Sequence, residues 1–177
     1  NKYFKTTLFL ALPLAFLLGC SKQSSTTSSS SSTPETTEVK TSESSTTEKK
    51  SELKTATFVN DSQPGVVSTL TYTVDGDNVV KQTAHNVADP EVLNNTADAV
   101  KSILEETYKG YKGLKGVTFS IEVKDGKVVQ DLEIDLSVAS IDELRKALPE
   151  EYSGVGKNVS FKASKKMLTD LGYTEKN

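Results

Sequence analysis

The sequence of 177 residues contains one cysteine, Cys20, one histidine, His85, and no tryptophan. A single cysteine cannot close an internal disulfide, and a cysteine-based zinc site is not expected, since such sites need several thiolate or imidazole ligands. The net charge of −3 gives no basic excess, so no nucleic-acid partner is expected. No G-x-S-x-G, H-E-x-x-H, Walker or Rossmann pattern occurs. We therefore expect no enzymatic activity and no cofactor.

The main apolar stretch lies near the start of the sequence and stops at Cys20. Residues 6–18, TTLFLALPLAFLL, follow two lysines. This stretch is too short to span the hydrocarbon core of a bilayer, which takes about 20 residues. A positive start followed by a short apolar segment is typical of an export signal. We therefore predict a signal peptide over residues 1–19.

The end of this stretch, Leu17-Leu18-Gly19-Cys20, resembles the bacterial lipobox Leu-x-Gly-Cys. The resemblance implies a diacylglyceryl thioether on the sulfur of Cys20 and cleavage before that residue. Two or more acyl chains anchor a protein stably, at about 0.8 kcal/mol per buried CH₂, whereas a single chain is marginal. This interpretation places the protein on the extracytoplasmic face of the plasma membrane. The alternatives are an ordinary signal peptide with an incidental cysteine and an uncleaved N-terminal anchor.

Residues 20–52 differ in composition from the rest of the chain. Serine and threonine make up 20 of the 32 residues from 21 to 52. Without apolar periodicity, nothing in this segment can offset the entropy lost on ordering, so we predict a disordered linker that holds the following domain off the bilayer. A linker of this kind after a lipidated cysteine resembles those of Gram-positive surface lipoproteins. Modification of its hydroxyl groups is an alternative role.

Residues 53–177 are enough for one domain with one core, and alternating patterns predict its strands. A short strand over 52–58 precedes two strands over 66–74 and 78–86. Asp-Gly between these two alternating runs indicates a hairpin. Its register stays open, because two- and three-residue loops both leave polar residues opposite apolar ones.

A second hairpin is predicted over 117–124 and 128–136, again around Asp-Gly. A two-residue loop places Val123 opposite Val128, so that both strands bury the same face. Gln130 is the exception, a polar residue on that inner face.

Apolar residues at three- and four-residue steps predict three helices. The first begins at Asp89-Pro90 and ends near Gly110 and Gly113, the second runs from the capping box at Ser140 to Leu148, and the third covers 164–171, with a brief edge strand over 158–161 before it. The class is α+β: an antiparallel sheet of about five strands, built from two hairpins, with two to three helices on one face.

Several segments of this domain resemble a known family. LTYTVDGDNVVKQT at 70–83, YKGYKGLKGVTFSIEVKDGKVVQDLEIDL at 108–136 and KKMLTDLGY at 165–173 are similar to the YehR-like bacterial lipoproteins, which carry a domain of unknown function. The resemblance covers nearly all of residues 53–177. It implies a location in the cell envelope and carries over no catalytic residue.

Two groups of polar residues are candidate sites. Asp131, Glu133 and Asp135 alternate on the outer face of one strand, where carboxylates could attract a hard cation such as Ca²⁺. Carboxylates on a strand diverge, however, and no calcium-binding loop is present, so a solvated face is the simpler interpretation. His85 could act as a base, and turn chemistry alone accounts for Asp75 and Asp77.

Tyrosines and lysines provide two further candidates. Tyrosines could line a groove for a glycan or a peptide, although three of them also fit the core stripes; the set is Tyr72, Tyr108, Tyr111, Tyr152 and Tyr173. Three lysines could contact an anionic polymer or a phospholipid surface, or complement the dipole at a helix end; these are Lys109, Lys112 and Lys115.

The functional expectation follows from the predicted anchor and the absence of catalytic motifs. We expect a lipid-anchored, non-enzymatic binding module that takes a small ligand, an ion or an envelope partner. The alternatives are a structural or accessory lipoprotein that docks on a membrane complex, and an enzyme of unrecognised type. A partly apolar pocket between sheet and helices would favour the binding module, whereas a flat exposed apolar patch would favour docking.

Overall fold

The computed structural model describes residues 52–177, so the predicted signal peptide, Cys20 and most of the linker lie outside the described residues. Six strands and four helices are present in this part of the chain, together with a short 3₁₀ turn at Lys109–Tyr111. In chain order they are β1 Lys54–Asn60, β2 Val66–Asp75, β3 Asn78–Ala88, α1 Ala97–Thr107, β4 Val117–Lys124, β5 Lys127–Asp135, α2 Ile141–Ala147, α3 Pro149–Tyr152, α4 Phe161–Asp170 and β6 Thr174–Lys176.

The strands form one antiparallel sheet in the order β4-β5-β3-β2-β1-β6. The second hairpin has the predicted register, with Val123 opposite Val128. The open question of the first hairpin is resolved by a two-residue loop that pairs Asp75 with Asn78, followed by an irregularity between Thr73 and Val74. Beyond that irregularity, apolar residues of β2 and β3 face each other again, for example Leu70 and Ala84. A regular ladder from the same turn would place polar residues opposite apolar ones. The α+β prediction is therefore confirmed, with six strands rather than about five.

The first helix begins later than predicted. Asp89 accepts bonds from the backbone N–H groups of Glu91 and Val92, but these belong to a turn. Asn94 has a φ of +52°, a left-handed conformation that interrupts a helix. The helix α1 starts at Ala97, after Thr96, whose hydroxyl accepts a bond from Ala99 N–H at 3.2 Å.

Two further differences lie in the C-terminal third. The edge strand predicted at 158–161 is only a single bridge between Ser160 and Asn78, because Ser160 instead caps α4, which starts three residues earlier than predicted. The sixth strand, β6, was not predicted and pairs with β1 along three residues. The Ser140 capping position is confirmed, since its hydroxyl accepts a bond from Glu143 N–H at the start of α2.

The core lies between one face of the sheet and the helices. We call this face the inner face; it carries alternating buried residues of β2, β3 and β5, such as Leu70, Ala84 and Leu132. Val100 and Leu104 of α1 and Leu168 of α4 are buried in the same apolar cluster. The opposite, outer face is mostly polar, and none of the helices in residues 52–177 covers it. The sheet therefore divides the domain into a buried side and a solvent-facing side.

Candidate functional site

A cavity opens between one end of the sheet and the helical layer. It has a volume of about 170 Å³. Val79, Val80 and Leu136 at the ends of β3 and β5 form one side, and Ile141 of α2 and Val159 before α4 form the other. Asn78, Ser137, Lys157 and Asn158 supply polar groups around this apolar centre. The cavity is thus partly apolar with polar groups around it, and it is smaller than the roughly 300–1,000 Å³ that is usual for small-molecule sites.

Gln82 follows two residues after Val80 on β3 and is not one of the residues that line this cavity. It is 1% exposed, and neither its amide oxygen nor its amide nitrogen has a hydrogen-bond partner in the described part of the chain. Tyr72 is its cross-strand neighbour on β2 and is also fully buried, with a hydroxyl that likewise has no partner there. Buried polar atoms without partners cost about 1–3 kcal/mol each, so such pairs are uncommon in stable cores.

A second glutamine occupies the inner face at the far end of the sheet. Gln130 is 0% exposed, and its amide oxygen accepts a bond from the Asn86 side chain at 3.1 Å. Its amide nitrogen has no partner among the described residues. Ala84 and Leu132, a cross-strand pair, separate this group from Gln82. The inner face therefore carries two separate buried amides, and only Gln82 leaves both of its amide atoms unpaired.

All five candidate tyrosines are buried, at 0–4% exposure, so they belong to the core rather than to an open groove. The hydroxyl of Tyr111 donates to Glu151 at 2.7 Å and lies 3.0 Å from the Tyr152 hydroxyl. Burial raises the pKa of the Glu151 carboxyl to about 7, and the bond from Tyr111 opposes this rise only in part. Burial likewise raises the pKa of Tyr72 well above its usual value. Burial thus favours the neutral form of each of these groups.

The charged residues on the outer face of β3 and β5 have partners. His85 Nδ1 lies 2.6 Å from an oxygen of Asp131, and Lys81 Nζ lies 3.0 Å from an oxygen of Glu133. Both pairs are about half exposed. The third predicted carboxylate, Asp135, accepts bonds from the backbone N–H and the hydroxyl of Ser137. A shallow depression of about 350 Å³ lies over this face, with His85, Asp131 and Glu133 among its lining residues.

The three carboxylates of β5 share one face, as their alternation predicts, but each turns to a different partner. Within residues 52–177, no group of three or more histidine, cysteine, aspartate or glutamate side chains is placed to hold a metal ion. Among the polar candidates of this face, His85 and Asp131 form a pair, and both side chains are about half exposed. No serine nucleophile is bonded to this histidine in the described region.

The remaining surface candidates have local structural explanations. Lys109 forms an ion pair with Glu106 after the end of α1, and Lys112 and Lys115 are exposed. Asp77 accepts bonds from the Ser160 hydroxyl and from Lys162 N–H, both at 2.7 Å, at the start of α4. These bonds hold the pKa of Asp77 below its usual value. Asp77 therefore ties the first hairpin to a helix end, which turn chemistry alone did not predict.

Sequence reasoning missed Gln82 and Glu151. A signal for Gln82 existed, because four of the five inner-face positions of its partner strand are apolar, and Gln82 falls in register with them once the irregularity at Thr73 is known. Gln130 was recognised as a polar inner-face residue because its hairpin register was clear. Glu151 follows Pro149 in a four-residue helix, and nothing in its local pattern indicates burial.

The domain matches a described protein family. The family of proteins of unknown function DUF1307 matches residues 54–174, which is most of the chain. The chain belongs to the DUF1307 family. This DUF1307 protein is 39% identical over 116 residues to the Uncharacterized lipoprotein Lin0239 of Listeria innocua, covering 64% of the chain and 76% of that protein. It is also 39% identical over 117 residues to the Uncharacterized lipoprotein Lmo0207 of Listeria monocytogenes, with the same coverage.

A solved structure supports the same fold. The NMR structure of the E. coli YehR protein aligns with a TM-score of 0.56 and 19% identity, covering 71% of this chain and 92% of that one. The predicted resemblance to YehR-like lipoproteins is therefore confirmed, as a family of lipoproteins of unknown function. Among residues 52–177, no helix is long and apolar enough to cross a membrane.

Proposed function

We propose that this DUF1307 protein is a non-enzymatic binding module that takes a small polar ligand between its sheet and its helices. A lipid on Cys20 would hold the module at the extracytoplasmic face of the plasma membrane. The observation that carries the proposal is the pair Gln82 and Tyr72, whose three buried polar atoms have no partner in the described part of the chain. Val79 and Val80 of the strand that carries Gln82 line a cavity of about 170 Å³ between the sheet and the helices, although neither Gln82 nor Tyr72 lines it.

The cross-strand neighbours of Gln82 are fully buried. They are Ile134 on β5 and Tyr72 on β2. The ring of Tyr72 lies about 6 Å from the rings of Phe58 and Phe161, so its hydroxyl is held by a rigid aromatic group. Rigid apolar walls with a few oriented polar groups are typical of binding pockets.

A thermal-shift screen tests this proposal. The mature protein would be screened with small metabolites, divalent cations, glycans and anionic envelope polymers. A ligand at 100 times its Kd adds about 2.7 kcal/mol, which raises Tm by several degrees for a domain of this size. The expected hit loses its shift in Gln82→Met and keeps it in Gln130→Met. A hit that is insensitive to Gln82, or a screen with no hits, would contradict the internal site.

The anchor has a separate test. Mass spectrometry of the N-terminal peptide from membrane-extracted protein should show an acylated Cys20. A Cys20→Ala variant should appear in the soluble fraction or the medium, while a Gly156→Ala variant, in which a Cβ would meet no other atom, stays with the membrane. The names of the two Listeria relatives as lipoproteins support this expectation. An unmodified Cys20 in the membrane fraction would rule out the lipid anchor.

A second candidate function, docking on an envelope protein complex, is favoured by an apolar row on the outer face. This row crosses β2, β3 and β5 at the end of the sheet where β1 finishes, and its members are cross-strand neighbours: Val67, Val87 and Val129. Val67 is 43% exposed, and Val92 beside it is 51% exposed. Crosslinking in intact cells from a photoreactive residue at position 67 tests this alternative. A Thr71 position on the same strand face serves as the matched control.

A further inference from the structure

The two edges of the sheet differ in length and in protection. One edge is β6, a strand of three polar residues, Thr174–Lys176. The other edge is β4, Val117–Lys124, which is eight residues long, contains no proline and pairs with β5 without a bulge. Proteins usually protect an edge with a short strand, a proline, a bulge or an inward-pointing charge, because unpaired main-chain groups can bind another strand. The strand β4 has none of these features.

The main-chain groups at the free side of β4 follow from its pairing with β5. Gly116 C=O accepts a bond from Asp135 N–H at 2.8 Å, so this carbonyl points towards β5. In an antiparallel strand the main-chain groups of successive residues point to opposite sides. The groups that point away from β5 therefore belong to four apolar residues: Val117, Phe119, Ile121 and Val123. Within the described chain, Val117 N–H bonds to Leu114 C=O at 3.2 Å, and the other outward groups have no main-chain partner.

The apolar side of β4 is also incompletely covered. Ile121 is 8% exposed, whereas Val123 is 42% exposed. The cross-strand neighbour of Val123 on β5 is Val128, which is only 1% exposed, so the apolar face loses its cover at the edge strand. A strand added beside β4 would therefore satisfy main-chain groups and cover an apolar side chain at the same time.

We infer that β4 pairs with β4 of a second copy of this chain, so that two sheets join into one across a twofold axis. In the antiparallel pairing with Ser120 at the axis, Phe119 lies opposite Ile121 of the second copy, and Val117 lies opposite Val123 of the second copy. The apolar residues of both copies then share one face of the joined sheet. This surface is separate from the inner cavity, since no residue of β4 lines that cavity.

The charges of β4 favour a second copy as the partner. With Ser120 at the axis, the two charged residues of the strand, Glu122 and Lys124, lie opposite Thr118 and Gly116 of the second copy, so no like charges are opposed. With Glu122 at the axis, two glutamates would lie opposite each other, and with Ile121 at the axis they would be diagonal neighbours. The strand is therefore most complementary to itself in the register centred on Ser120.

This contact is small, and we expect it to be weak in solution. Each copy offers the N–H groups of Phe119, Ile121 and Val123 and the carbonyls of the same strand. A single pair of strands falls among the interfaces that are weak or transient by their size. The predicted lipid anchor would hold both copies on one membrane surface and so raise their effective concentration.

Sedimentation equilibrium tests the pairing. Residues 20–177 carrying Cys20→Ala, which need no detergent, are measured from about 10 µM to 1 mM, where a weak contact becomes populated. We expect a monomer at the low end and a dimer at the high end. Val123→Lys adds an inward-pointing charge to the edge and should abolish the dimer. Val138→Lys, at a valine that is 46% exposed in the turn after β5, should leave it unchanged. A monomer at every concentration, or a dimer that Val123→Lys does not weaken, would overturn the inference.

A cysteine at the axis tests the register. The outer-face residues of β4 form non-hydrogen-bonded pairs across the axis, with Cα atoms about 4.5 Å apart, which is within the range of a disulfide. In the Cys20→Ala chain, Ser120→Cys should therefore form a disulfide-linked dimer on oxidation, and Val123→Lys should suppress it.

The matched control is Thr118→Cys, on the same exposed strand face. Its counterpart in the second copy lies four residues along the strand, or about 13 Å away, so it should not crosslink. Equal crosslinking of Ser120→Cys and Thr118→Cys would indicate random collision and overturn the inference.

Discussion

The polar residues on the two faces of the sheet differ in their exposure and in whether they have partners. On the outer face, Lys81 pairs with Glu133 and His85 pairs with Asp131, and all four side chains are about half exposed. On the inner face, Gln82 is buried and unpaired in the described domain. Lys81 and Gln82 are neighbours in the chain, but successive side chains of a strand point to opposite faces. Lys81 therefore reaches an ion-pair partner on the outer face, whereas Gln82 is buried without a partner in the described domain.

This difference is the reason for proposing a binding site on the inner face. An exposed ion pair contributes about 0–1 kcal/mol and can be lost with little consequence, so the outer pairs are explained as a solvated surface. A buried unpaired amide lowers stability, and it persists in a stable fold only if water or a ligand satisfies it. The outer depression is larger than the inner cavity, but the buried polar atoms that lack partners among the described residues belong to inner-face side chains.

The largest difference in stability between substitutions on the two faces is expected at Leu70 of β2. Leu70→Ala removes a side chain that is 0% exposed in the centre of the inner face, and should lower the free energy of unfolding by about 2–5 kcal/mol. Thr71→Ala on the outer face of the same strand should cost less than about 1 kcal/mol, through loss of its 3.0 Å contact with Thr57. Urea unfolding of both variants measures the difference, and similar losses would contradict the assignment of the two faces.

The next effect is a pH dependence from Glu151. Its pKa rises from 4.5 to about 7 on folding, so the unfolded chain releases this proton first as pH increases. The contribution of Glu151 to stability is therefore complete below pH 4.5, decreases between 4.5 and about 7, and is lost above that, a change of about 3 kcal/mol. In urea unfolding from pH 4 to 8, Glu151→Gln should remove this change.

The exposed neighbour Glu150 provides the control for that measurement. Glu150→Gln should leave the decrease in stability between pH 4.5 and 7 intact, because its carboxyl group is solvated. A Glu151→Gln profile that parallels the wild type would show that the buried contact with Tyr111 is not the source of the pH dependence.

A smaller effect, of opposite sign, is expected at Gln82. In the absence of ligand, Gln82→Met removes two unpaired polar atoms and keeps the volume, so it should raise the free energy of unfolding by about 1–3 kcal/mol. Glu133→Met on the outer face should change it by less than about 1 kcal/mol, since its partner Lys81 is half exposed. A loss of stability in Gln82→Met would mean that bound water already satisfies the amide.

Sequence reasoning predicted the sheet but little of this site, for physical reasons. The second hairpin was correctly predicted because turn type and hydrophobic pattern agree on one register. The cross-strand neighbour of Gln82 on β2 depends on an irregularity in β2 and β3, and the cavity depends on the packing of the loop before α4. Neither is encoded by local periodicity. Burial of Glu151 likewise arises from the contact of α3 with Tyr111, forty residues away. Long-range contacts of this kind create the candidate site.

The smallest effect is expected at the outer pair of His85 and Asp131. Asp131→Asn should change the free energy of unfolding by less than about 1 kcal/mol, because both side chains are about half exposed and water replaces the lost contact. The same variant should leave any Gln82-dependent ligand shift unaltered, since residue 131 lies on the opposite face of the sheet. If Asp131→Asn abolished ligand binding while the fold remained intact, the outer depression rather than the inner cavity would be the functional site.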